Sequence, residues 1–210
     1  MVKKVQELQT DPKLKDKIEN KMNEFRTVHN EDSQKWYEEL VYCLLTAYSS
    51  AYMGQRCVDS LCNNELLLNG SLKNIQSCLI NEGHRFAKRR AEYIYYSRGL
   101  SGNLKSIIKS FKNSKEAREW LVKNIKGLGW KESSHFLRNV GYFDLAIIDR
   151  HILANLNEHG LLEEDAKKGL TKKRYLKYEK ILDKISKRLN ILPGELDLYL
   201  WYRKTGKVLK

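Results

Sequence analysis

Apolar residues recur at three- and four-residue intervals along most of the chain, the spacing of helices that bury one face. Over residues 12–29, Leu14, Ile18, Met22 and Phe25 share one face of an otherwise charged segment. Glu31-Asp32-Ser33 is a helix-start signal, and the run from Trp36 to Thr46 behind it is apolar enough to be central. Thr46-Ala47-Tyr48-Ser49-Ser50-Ala51 interrupts it. Further helices are predicted from Gly54 to Leu61, Leu72 to Leu79, Asn103 to Phe111 and Ala117 to Ile125. In residues 84–98, Phe86, Arg90, Tyr93 and Ser97 share a face, which reads as an aromatic inner stripe under a solvated basic surface. Beyond position 148 the pattern predicts a helix from Asp149 to Glu158 and a basic linker from Lys167 to Arg174. It then predicts a helix from Tyr175 to Leu189, with Tyr178, Ile181, Leu182, Ile185 and Leu189 inward. Pro193 suits the first turn of a last helix, Glu195 to Tyr202. No alternating strand pattern, internal repeat or low-complexity tract is present. With two prolines and 12 glycines among 210 residues, the expectation is an all-α fold.

Charge adds a direction. The net charge is +13, and residues 83–130 hold 12 Lys/Arg against three Glu, so +9 of it lies there. A surface so biased suits a polyanion, although a lysine-rich protein of another kind carries the same total. Cys43, Cys57, Cys62 and Cys78 lack compact metal-ligand spacing and read as reduced thiols of a cytoplasmic protein; a zinc site on Cys57 and Cys62 is the alternative. The opening Met1-Val2-Lys3-Lys4-Val5 has no signal-like apolar stretch, and no apolar run is long enough to span a membrane.

The most informative stretch is Asn124 to Gly141. The predicted helix over 117–125 runs into Gly127-Leu128-Gly129, a second helix starts near Lys131, and Gly141 is a natural left-handed stop. Glycines flanking one leucine permit a tight turn with exposed amides, and such amides beside a helix N-terminus suit a phosphate. Asp149 follows in Leu145-Ala146-Ile147-Ile148-Asp149-Arg150-His151-Ile152, 18 residues after Lys131.

Leu128-Gly129-x-Lys131 combined with Ile148-Asp149-x-His151 resembles the helix-hairpin-helix (HhH-GPD) DNA glycosylases, over about residues 36–156. The resemblance implies two helical lobes facing a cleft with the catalytic pair at their junction. One lobe is residues 33–141, with the hairpin motif at about 114–141; the other is 1–32 plus 142–210. It implies double-stranded DNA as partner, with cations of residues 84–98 near phosphates, and a nucleoid-associated monomer. Some relatives bind an iron–sulfur cluster through four cysteines after the catalytic aspartate; here no cysteine lies beyond Cys78. Neither metal nor organic cofactor is expected, apart from a monovalent cation at the hairpin that the family makes plausible.

The chemistry follows from the two residues. A neutral Lys131 amine can attack C1′ of a deoxyribose, expel the base and form a Schiff base, which leads on to β-elimination at the 3′ side. Read alone, Lys131 is an ordinary surface lysine at a phosphate; the hairpin and Asp149 argue for catalysis. The Asp149 carboxylate can stabilise oxocarbenium character at the sugar. It is also a good N-cap for a helix starting at Arg150, and the two roles are compatible. Gly127 and Gly129 are assigned to DNA phosphate, as is His151, for which a packed structural role is equally open.

The run Leu196-Asp197-Leu198-Tyr199-Leu200-Trp201-Tyr202-Arg203-Lys204-Thr205-Gly206-Lys207-Val208-Leu209-Lys210 is similar to that of the type-2 8-oxoguanine DNA glycosylases, best known from archaea. Those enzymes fold the tail back to the base pocket. On that pattern Lys210 supplies a carboxylate acceptor for the N7–H of 8-oxoguanine, and Trp201 or Phe86 a stacking surface. Trp201 as a plain core anchor is the alternative. Relatives usually fill the vacated stack with a glutamine; this chain has Tyr48 in Leu44-Leu45-Thr46-Ala47-Tyr48, with Gln55 as a possible substitute.

Overall fold

The computed structural model describes residues 1–162 and 170–210, and among them the chain is helical without a strand. In order the helices are α1 (Val2–Gln9), α2 (Pro12–Asn30), α3 (Ser33–Thr46), α4 (Ala51–Asn63), α5 (Leu66–Asn69), α6 (Leu72–Asn81) and α7 (Ala87–Ser97). A 3₁₀ turn, Arg98–Leu100, precedes α8 (Leu104–Lys109), α9 (Ser114–Asn124), α10 (Trp130–Asn139), α11 (Arg150–Glu158), α12 (Lys172–Leu189) and α13 (Pro193–Thr205). None is long and apolar enough to cross a membrane. The chain divides into two compact units, Val28–Val140 and Met1–Thr27 with Gly141–Lys210.

In the first of these units α3 is the axis. Asp32 caps it by accepting from the Lys35 amide at 2.8 Å, and Trp36, Tyr37, Leu40, Val41, Leu44 and Leu45 are fully buried along it. Tyr37 donates to the Ile94 carbonyl at 2.7 Å and so ties α7 to α3; burial pushes its phenol up to about 12, which keeps the donor protonated. Glu39 accepts from Asn139 at 3.0 Å, and Asn139 accepts from Arg138, a buried polar link between α3 and α10. Gly54 does not start α4 but lies inside it. A Cβ there would stand 2.6 Å from the Thr46 methyl, so the glycine sets how closely α4 approaches α3.

The pattern over 84–98 needs correction. The inner face of α7 is Ala87, Arg90, Ala91, Ile94 and Ser97, whereas Tyr95 and Tyr96 face solvent. Small alanines let α7 lie close to its neighbours, and Arg90 is tolerated inside because its guanidinium finds a carbonyl, described below. The aromatic inner stripe is therefore absent.

In the other unit, Leu14, Ile18, Met22 and Phe25 of α2 are buried, as their spacing predicts. Helix α12 begins at Lys172, so the end of the expected basic linker is helical; residues 167–169 of it lie outside the described residues. Its inward residues include Tyr175, Glu179 and Ser186, while Ile181 is only half-buried. Tyr175 and Glu179 have a specific task. The extended run Leu145–Ile148 is buried, and buried backbone groups need partners. Tyr175 donates to the Ala146 carbonyl at 2.8 Å and accepts from the Ile148 amide at 3.3 Å, and Glu179 accepts from the Ala146 amide at 3.3 Å. These bonds hold the strand-like lead into Asp149. Two short helices escape the pattern: α1 buries only Val5, and α5 is a single turn behind Glu65, which sits at φ +55°.

Candidate active site

Helix α9 ends at Asn124, and Leu128 donates back to the Ile125 carbonyl at 3.2 Å. Of the two hairpin glycines only Gly127 needs to be one. Its φ is +97°, and a Cβ there would stand 2.3 Å from the Tyr93 ring and 3.0 Å from the Leu44 methyl. Gly129 has an ordinary φ of −91° and is the N-cap of α10, with no side chain to cap it. No side chain caps the start of α10, an arrangement suited to an anion.

Lys131 sits in that first turn. Its side chain is about three-quarters buried, and its Nζ lies 3.9 Å from Glu132 Oε1, a long contact that orients the amine without enclosing it. Trp130, beside it, has the Arg118 guanidinium over its ring at 4.8 Å.

Asp149 belongs to the other unit. It is the N-cap of α11, and Oδ1 accepts from the His151 and Ile152 amides, both at 2.8 Å. Both bonds fall on one oxygen, so Oδ2 is left without a hydrogen-bond partner among the described residues. Capping therefore fixes the carboxylate and keeps one oxygen available. His151 packs edge-on against Trp201, ring centres 5.8 Å apart, and its Nε2 takes the Arg150 Nε–H at 3.2 Å. His151 and Trp201 thus come together one turn from Asp149. Trp201 is half-buried, so it is not sealed in a core. Asn155, fully buried, donates to the carbonyls of His151 (2.8 Å) and Leu200 (3.2 Å), and its own carbonyl accepts from Arg203. That side chain fastens α11 to α13 beside the His151–Trp201 contact. Beyond α13, Gly206 at φ +69° turns the chain into the tail that carries Lys210.

The loop between α3 and α4 carries Tyr48, which is 88% exposed at φ +60°, an uncommon backbone setting for a tyrosine. Its ring meets Phe86 edge-on at 6.5 Å, and the Arg85 guanidinium lies 5.1 Å over the Phe86 ring. Gln55 spends its amide on Asp59 at 2.7 Å, one turn along its own helix. Nothing in the sequence pattern marked His84 or Asn155, because each is buried and bonds to partners distant in sequence. Among the described residues no three His, Cys, Asp or Glu side chains converge as metal ligands; Cys57 is buried against Met53, and Cys62 is half-exposed.

An uncapped hairpin helix bearing a lysine, followed 18 residues later by an aspartate capping the next helix, fits the class of helix-hairpin-helix DNA glycosylases. A family model described as 8-oxoguanine DNA glycosylase matches residues 18–191. The chain belongs to that family. It is 46% identical over 210 residues to an 8-oxoguanine DNA glycosylase/AP lyase of Methanocaldococcus jannaschii, covering 100% of this chain and 99% of the relative. It is 48% identical over 198 residues to the enzyme of that name from Korarchaeum cryptofilum, covering 94% and 92%. The crystal structure of the Methanocaldococcus jannaschii glycosylase/lyase in complex with a 15mer DNA containing 8-oxoguanine superposes with a TM-score of 0.94 at 45% identity, covering 100% and 99% of the chains. The 8-oxoguanine DNA glycosylase of Thermotoga maritima gives 0.90 at 40% identity, covering 100% and 98%.

Proposed function

We propose that this chain excises 8-oxoguanine from double-stranded DNA and cleaves the strand at the abasic site it creates, as a bifunctional glycosylase and AP lyase. The observation that carries the reading is Lys131 in the open first turn of the hairpin helix of a chain in this family. A base within a duplex is out of reach, so the nucleotide must first be turned out of the stack. The hairpin amides, with Gly127 and Gly129, grip the backbone; such contacts position the duplex without reading sequence. The Lys131 amine attacks C1′, the C1′–N9 bond breaks and the base leaves with a proton; the C1′–O4′ bond then opens, O4′ takes a proton, and C1′ and the amine nitrogen are left as a Schiff base. The resulting Schiff base lowers the barrier to loss of the C2′ proton and departure of the 3′ phosphate. Asp149, held by Oδ1, presents Oδ2 to the positive charge that develops on the sugar. No step needs a metal or an organic cofactor; a monovalent cation at the hairpin carbonyls would serve the phosphate grip alone.

Recognition of the base is assigned to Phe86 and Trp201 as stacking surfaces and to Lys210 of the tail. The contact of His151 with Trp201 supports its packed role over a phosphate contact. Tyr48 is assigned to the gap left by the extruded nucleotide. The internal bond of Gln55 argues against its sharing that task.

Borohydride added to enzyme and a single-lesion duplex tests the whole scheme. Protein should become covalently trapped on 8-oxoguanine DNA and not on the undamaged duplex. Deleting Lys210 should lower excision far more than cleavage at a preformed abasic site. Binding without trapping or strand cleavage across a panel of lesions would leave a non-catalytic DNA-binding module.

A further inference from the structure

The exposed Tyr48 ring stands on a backbone setting that costs free energy for a non-glycine residue, so something must hold it there. Two buried side chains do. His84, 4% exposed, places Nε2 at 2.9 Å from the Leu45 carbonyl, and its Nδ1 accepts the Phe86 amide at 3.2 Å. Together these bonds define the neutral tautomer with the proton on Nε2. One imidazole therefore joins the last turn of α3, three residues before Tyr48, to the residue whose ring Tyr48 meets. Arg90 donates to the Ala47 carbonyl at 2.9 Å from the other side, its Nε without a partner among the described residues. Burial lowers its pKa, against which Tyr93 and Glu132 act, so a charge is kept inside for the sake of this one carbonyl. The Arg90 guanidinium also lies 5.6 Å from the Tyr93 ring centre, and that ring closes on Gly127 of the hairpin. Helix α7 thus bears on the Tyr48 turn and on the hairpin at once.

We propose that His84 and Arg90 are positioning residues that hold Tyr48, braced edge-on by Phe86, as a rigid aromatic wedge at a fixed distance from the hairpin, so that the wedge opens the stack where Lys131 must reach the sugar. This rests on the assignment of Tyr48 to the vacated gap. A floppy tyrosine would fill the gap equally well once it existed; a held one lowers the cost of opening it, because its ordering is complete before DNA binds.

The test is a cycle of His84→Ala, Tyr48→Ala and the double variant. Three readings are taken below each variant's melting temperature: single-turnover 8-oxoguanine excision, strand cleavage at a preformed abasic site, and fluorescence of a 2-aminopurine beside the lesion as a report of unstacking. His84→Ala should slow unstacking and excision about tenfold or more, the scale of one lost positioning hydrogen bond, and slow abasic-site cleavage much less. In the Tyr48→Ala background the same substitution should have almost no further effect, since the residue it acts through is gone. His84→Gln, which can still donate to the Leu45 carbonyl, should recover part of the loss, and it replaces His84→Ala in the cycle if that variant does not fold. Losses that multiply in the double variant, or excision at the wild-type rate in a folded His84 variant, overturn the positioning role while leaving the wedge. A silent Tyr48→Ala removes the wedge and the positioning role with it, while excision by the wild-type enzyme keeps the glycosylase reading intact.

Discussion

Helix α10 begins behind a glycine and α11 behind an aspartate, and the proposed mechanism divides the chemistry between the two starts. At Gly129 no side chain covers the first-turn amides, which stay open to a phosphate, and the residue they bring forward is Lys131. At Asp149 the amides of His151 and Ile152 are already taken by Oδ1, so that helix start orients a carboxylate instead of binding an anion. On the proposed reading the same orphaned N–H groups serve once as a binding site and once as a mount. An end of a helix therefore says little about function until its cap is known.

The largest expected effect breaks the first start. Lys131→Gln should abolish borohydride trapping while DNA binding stays nearly intact, measured by trapping and by gel shift on the same preparation. Undiminished trapping would place the nucleophile elsewhere. Asp149 comes next. Asp149→Asn should cut excision by about 100-fold or more with little change in melting, since asparagine also caps well; Asp149→Ala should in addition cost about 1 kcal/mol of stability as the cap is lost. Equal excision in the Asn variant would reduce Asp149 to a cap.

The hairpin glycines sharpen the contrast at smaller scale. Gly127→Val meets the Tyr93 ring and a positive φ, so it should cost about 3 kcal/mol or more and weaken binding to lesion and plain duplexes alike. Gly129→Ala meets only Glu132 Oε2 at 3.1 Å, the end of a flexible side chain, and should shift stability by no more than about 0.5 kcal/mol. Similar melting curves for the two variants would contradict the conformational distinction between them.

The smallest effect is one of pH. Burial, and then the nearby Arg90, hold the folded His84 below its ordinary 6.5, despite its bond to Leu45. Below that pH the unfolded chain binds the proton more readily than the folded one. The stability that neutral His84 preserves is therefore present above about 6.5 and is lost as pH falls from there toward the folded value. Denaturant titrations at several pH values should show that slope in the wild type and its reduction in His84→Gln; identical slopes would remove His84 as the titrating group.

Sequence alone determined the elements whose signals are local. Helical spacing placed the buried face of α2, Asp32 announced α3, and Gly127, Lys131 and Asp149 stood at separations that a hairpin and a capped helix require. Their conformations depend on neighbours a few residues away, so the chain writes them in order. What only the tertiary structure decided depends on particular contacts, most of them with partners far along the chain. Arg90 shares a face with Phe86, Tyr93 and Ser97 in the sequence, but only the structure shows the Ala47 carbonyl that holds its guanidinium inside; His84 reads as one more polar residue and proves to join the end of α3 to the start of α7. Gly127 and Gly129 look equivalent in sequence, yet Tyr93 and a positive φ demand the first alone. Gln55 seemed free for DNA until Asp59, one turn away, took its amide. Periodicity ranks positions by hydrophobicity, and these four cases turn on individual hydrogen bonds and contacts, which hydrophobicity does not encode.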